Sequence, residues 1–172
     1  MRSTLGSNLA LVLGALTAAC GTDGSDTLGP SAIPETPATG SAALVTTANL
    51  EVILRGQGFG LVKFRQPKDA EAIIFLDTWV RDLAPNTEYQ LQRAVDATVD
   101  NNCTGTSWLT LGRGLQAQSI VTDDRGVGHA ELFRDVSAIP PGSEFDINFR
   151  VIDAQTQSVV LQSDCYQYRV SL

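Results

Sequence analysis

The chain has one histidine, one methionine and three cysteines among its 172 residues, and aromatic side chains make up only 6% of it. Each shortage removes a class of chemistry. A single imidazole, His129, excludes a multi-histidine metal centre, and it leaves a Ser-His-Asp triad with one candidate base that sits in no nucleophile motif. No apolar run approaches the roughly 20 residues that a membrane-spanning helix requires, and no window repeats apolar residues at helical spacing for long. Positive charge is also scarce: 12 Lys and Arg stand against 19 Asp and Glu, a net charge of −7. A surface of that sign repels phosphate backbones, so no nucleic-acid partner is expected. Neither a cofactor motif nor the ligand spacing of a metal site is present, so no cofactor or metal is expected either.

The start of the chain carries an address. Arg2 precedes the apolar stretch Leu9-Ala10-Leu11-Val12-Leu13-Gly14-Ala15-Leu16, which has the length of an export signal. It ends in Leu16-Thr17-Ala18-Ala19-Cys20, which resembles the lipobox of bacterial lipoprotein precursors; Thr17 stands where that family more often has Leu. The resemblance implies that residues 1–19 are a signal peptide and that Cys20 receives the lipid, including palmitate-type acyl chains. The competing reading is an ordinary secretory signal cleaved near Ala18 or Ala19. After Cys20, residues 21–40 consist mostly of Gly, Ser, Thr, Asp and Pro, a composition too polar to seed a core, so 20–40 reads as the lipidated cysteine and a disordered tether. Gly21 rather than Asp follows the cysteine, which under the family's sorting rule implies the outer membrane in a Gram-negative host. The expected partners are the membrane, through the anchor, and another envelope protein.

Residues 41–172 are long enough for one domain with its own core. With Cys20 acylated, Cys103 and Cys165 remain, and an even pair in an exported protein reads as a disulfide. Phe145, Ile147, Phe149 and Val151 alternate with Asp146, Asn148 and Arg150, which predicts a strand with the first set in the core and the second in water. Tyr89, Leu91 and Val95 alternate likewise with Gln90 and Gln92, and Tyr166, Tyr168, Val170 and Leu172 form a last strand. The run from Ala70 to Val80 is apolar on both parities and reads as a central strand covered on both sides. Turn residues gather at 84–87, 123–126 and 140–143. The expected fold is all-β: an antiparallel β-sandwich of about seven to nine strands, with a small β-barrel as the alternative.

Two segments bear a family likeness. The run from Val80 to Tyr89, with Leu83, Pro85, Thr87 and Tyr89, resembles the tyrosine corner of fibronectin type III sandwiches. The stretch from Val121 to Ala130, followed by Pro141-Gly142 and the Phe145 strand, is similar to exported superoxide-dismutase-like or CHRD modules. Both resemblances imply a fold and no activity; a copper-zinc dismutase needs several histidines, and only His129 is present.

The remaining candidates are binding residues. Trp79 and Trp108 read either as core or as a stacking platform for a sugar or a partner's side chain. Asp96 and Asp100, with Asn101 and Asn102 beside them, crowd oxygen atoms near Cys103, and Asp123 with Asp124 does the same at a turn; either is raw material for calcium or a solvated turn. Glu71, Asp77, Asp82 and Glu131 are carboxylates from which no spacing selects an acid-base pair. The segment Gly56-Gln57-Gly58-Phe59-Gly60 has no P-loop lysine after it and reads as a hairpin turn. These features point to a non-enzymatic binding or structural module on the cell envelope, with a sugar- or calcium-binding domain as the alternative.

Overall fold

The computed structural model describes residues 49–171. Residues 1–48, which include the expected signal peptide, Cys20 and the expected tether, and Leu172 lie outside the described residues.

Apolar residues at every second position build β1 (Asn49–Gly56), β2 (Phe59–Arg65), β3 (Ile73–Arg81) and β4 (Glu88–Asp96). Four short strands follow, β5 (Leu109–Thr110), β6 (Gly112–Arg113), β7 (Gln116–Ala117) and β8 (Ser119–Val121). The chain then forms β9 (Gly128–Asp135), β10 (Glu144–Asp153), β11 (Val159–Ser163) and β12 (Tyr166–Arg169), and among the described residues there is no helix. The twelve strands run in one sheet in the order β5-β4-β10-β11-β1-β2-β3-β9-β6-β7, with β12 also beside β10 and β8 beside β4. Pairing is antiparallel except where Arg113 meets Phe133.

The sheet curls back on itself. At one end β8 pairs with β4 through Glu88 and Val121, and the next residue, Thr122, bridges to Gly128 at the start of β9. This gives the nearly closed, barrel-like member of the expected all-β pair. The count exceeds the expected seven to nine because the segment from 109 to 121 contributes four fragments of two or three residues to the seam between β4 and β9.

The inward parity fills the interior with Val52 and Leu54, Val62 and Phe64, Leu76 and Val80, Leu91, Leu132, Phe149 and Val151, all at most 2% exposed. Burying each such side chain contributes roughly 1.5–3 kcal/mol. The expected turns close the frame. Ala84 N–H donates to Tyr89 Oη at 3.2 Å, and buried Thr122 donates to Ala84 O while accepting Thr87 N–H. Asp123 Oδ1 accepts the amides of Arg125 and Val127, both at 2.9 Å. Gly126 follows at φ +75°, where a Cβ would come within 2.1 Å of Leu83 O. Gln57 and Gly58 form the two-residue turn between β1 and β2, as expected for a hairpin.

Three expectations are corrected. Asp146 and Asn148 do not face water: they are 0% and 6% exposed, because the segment 97–108 lies over the outer side of β4 and β10. Gln92 is buried too, its side chain held between Thr110 and Arg150, whereas Val95, on the inward parity, is 37% exposed because it stands at the barrel's open end. The Ala70–Val80 segment becomes a strand only from Ile73. That strand is central, between β2 and β9, but Ile74, Leu76, Thr78 and Val80 face the core while Ile73, Phe75, Asp77 and Trp79 face outward and are partly exposed.

Candidate functional site

Trp79 is on the outward parity of β3 and is 45% exposed, so the core reading of this residue is corrected. Its register partner on β9 is His129, and the two rings stack with centroids 3.9 Å apart and planes 22° from parallel. His129 Nε2 lies 2.5 Å from Asp77 Oδ1. A carboxylate only accepts, so Nε2 carries the proton of that bond. Asp77 also faces Lys63 on β2 and Glu131 on β9, while Trp79 faces Leu61. The result is an aromatic ring on the outer face of the sheet, beside strand neighbours of both charge types, Lys63, Asp77 and Glu131.

Trp108 belongs to a different surface. It packs beneath the Arg150 guanidinium, which lies 4.0 Å from the ring centroid, and Arg150 Nε donates to Gln92 Oε1 at 2.8 Å. Burial pulls the Arg150 guanidinium below its ordinary pKa. Four strands separate β4 from β3 in the sheet, so the two tryptophans do not form one platform.

Asp96 and Asp100 brace the segment that carries Trp108. Asp96 Oδ2 accepts the amides of Thr104 and Gly105, and Asp100 Oδ1 accepts that of Asn102. Asp146, directly across the β4–β10 pairing from Asp96, receives the amides of Asp100 and Asn102 on Oδ2. Its Oδ1 and the Oδ1 of Asn148 are buried without a protein partner. Cys103, in the same segment, stands at disulfide distance from Cys165, with Cα atoms 5.5 Å apart. Among the described residues no three His, Cys, Asp or Glu side chains converge as a metal cluster would. Asp123 and Asp124 lie in the turn described above, where Asp123 is engaged with backbone amides.

The four carboxylates scatter. Glu71 precedes β3 and Asp82 follows it, and a nine-residue strand separates them by roughly 30 Å. Only Asp77 and Glu131 face one another, and each has its own partner, His129 for Asp77 by hydrogen bond and Arg113 for Glu131 by ion pair.

A cavity of about 80 Å³ opens at the barrel end opposite the Thr122–Gly128 bridge. Its walls include Phe64, Phe145, Phe149 and Tyr168, of which Phe64 and Tyr168 meet edge to face at 4.7 Å. Two arginines also line it. Arg93 lies on the inward parity of β4 between Leu91 and Val95, and Arg134 on that of β9 between Leu132 and Val136. Burial first, and then the charge of Arg134, hold the Arg93 guanidinium below its ordinary pKa. Reading the sequence for alternation overlooked both residues. The available signal was a charged side chain at a core position of each strand.

The chain matches no protein-family model, and no curated protein is similar to it in sequence.

Proposed function

We propose that the chain is an exported envelope lipoprotein, anchored through acylated Cys20 and a tether at 21–40, whose barrel-like domain acts as a non-catalytic binding or structural module for another envelope protein. The observation that carries the proposal is the pairing of Cys103 with Cys165, which supports an oxidising compartment outside the cytoplasm. The Leu16–Cys20 motif supplies the address, and two or three acyl chains give stable attachment where one would be marginal. In a Gram-negative host, Gly21 directs the anchor to the outer membrane.

The test is metabolic labelling with a fatty-acid analogue in the native host, comparing the wild type with Cys20→Ala, followed by cross-linking and mass spectrometry. Label on the wild type alone, with a reproducible envelope protein captured by it, is the expected result. Equal labelling of both forms overturns the anchor, and identical capture by both overturns the tethered partner.

Exposure of Trp79 beside Asp77 and Lys63 favours a second reading, in which the outer face of β2, β3 and β9 binds a sugar. Sugar titration followed by tryptophan fluorescence, lost in Trp79→Ala and kept in Trp108→Phe, supports it; no response in the wild type removes it. In the calcium version, Asp96 and Asp100 are the ligands, and a calcium-dependent rise in Tm after metal stripping is required.

A further inference from the structure

Arg93 and Arg134 are half-buried, point inward from strands on either side of the seam, and line one apolar cavity. Among the described residues neither makes a salt bridge, although Arg81, Arg113 and Arg169 do. Arg134 Nη1 donates to Gly114 O, a neutral acceptor, at 3.2 Å. Removing a guanidinium from water without an anion is costly, and two placed near one another add repulsion. The chain carries seven more acidic than basic side chains, which makes the missing partner more telling, since carboxylates are plentiful elsewhere.

We propose that the open end of the barrel binds a short aliphatic carboxylate, with the carboxylate held between Arg93 and Arg134 and the alkyl chain among Phe145, Ile139 and Val136. A guanidinium offers a planar fork of donors that matches two carboxylate oxygens, and a pair of them selects an anion over a neutral alcohol. Size sets the chain length. A cavity of 150 Å³ holds benzene, so one of about 80 Å³ accommodates about three carbons beyond the carboxylate. The mouth is reachable from solvent, because Val95 is 37% exposed and Ile139 and Phe145 are only partly buried. This site is separate from the Trp79 face and from the anchor, and its failure leaves both of those readings standing.

The test titrates the full-length protein at low salt with acetate, propionate, butyrate, valerate and hexanoate, following arginine side-chain NMR signals and heat. Affinity should tighten about fourfold for each methylene up to butyrate or valerate and then level off. 1-Butanol should not compete, and added salt should weaken binding. Arg93→Met and Arg134→Met should each weaken butyrate at least tenfold. Arg93→Lys, which keeps the charge and loses the fork, should fall between wild type and Arg93→Met, and it guards against a variant that merely unfolds. Equal affinity for acetate and butyrate, binding of butanol as tight as butyrate, or full binding in the folded Arg93→Lys, Arg134→Met double variant would overturn the proposal.

Discussion

Trp79 and His129 form a cross-strand stack on the outside of the sheet, with the imidazole held in place by Asp77. The pair therefore adds surface and little burial. Trp79→Ala should cost less than about 1 kcal/mol, in the range of exposed cross-strand pairs. Phe149→Ala, at a position with no exposure, should cost about 3–5 kcal/mol. Urea denaturation of both variants checks the contrast, and comparable losses would mean that Trp79 is part of the core.

Asp123, Asp135 and Asp153 all have pKa values below the ordinary 3.8. For Asp123 the cause is the Val127 amide and then that of Arg125; for Asp135 it is the Ser137 hydroxyl and then its amide; for Asp153 it is chiefly the Thr156 amide. A depressed carboxyl stabilises the fold fully above its unfolded value, and that stabilisation is lost as pH falls through the folded value. Stability should therefore be flat from pH 7 to about 5 and decline below about 4. Carboxyl NMR titration should find all three below 3.8, and Asp123→Asn should flatten part of the acid limb.

Tyr168 donates to the buried Gln66 Oε1, which also accepts Ser171 N–H at 2.9 Å, while Gln66 Nε2 donates to Ser171 O at 3.2 Å. Burial pushes the phenol far above its ordinary pKa of 10.0. A raised value means that this group favours the fold below its unfolded pKa and ceases to do so as pH rises. In an alkaline absorbance titration one tyrosine should ionise only together with unfolding. Tyr168→Phe should cost about 1–3 kcal/mol, towards the lower end because Ser171 still pairs with Gln66.

Cys103 and Cys165 are 62 residues apart, so their bond closes a long loop in the unfolded chain. In the chain-entropy model this stabilises the fold by roughly 4 kcal/mol. Reductant, or replacing both cysteines with alanine, should lower the urea midpoint accordingly. It should also loosen the segment over β4 and β10, seen as faster amide exchange at Thr104 and Gly105. An unchanged midpoint would mean that the two thiols are not joined.

The strands and turns were legible because their causes are local. Period-two alternation marks Phe145 to Val151, and a preset φ beside a residue tolerant of left-handed backbone marks 84–87 and 140–143. Asp146 and Asn148 misled because their cover comes from 97–108, a segment linked to residue 165, and no short window reports it. Trp79 misled in the other direction, since outward-facing Ile73 and Phe75 make β3 look apolar on both parities. Arg93 and Arg134 break the alternation visibly, but their significance arises only when β4 and β9 face each other across the seam.

The near-closure of the sheet also governs how copies of the domain meet one another. Among the described residues, the strands that end the sheet path are β5 and β7, two residues each, and the four-residue β12 has only β10 beside it. Aggregation by edge pairing needs a long unpaired row of backbone donors and acceptors, and the two strands that end the path are too short to offer one. If the proposed anchor holds copies of the domain on a membrane, the two-residue strands at the ends of the curled sheet would offer neighbours little edge to extend and would leave contact to their side chains.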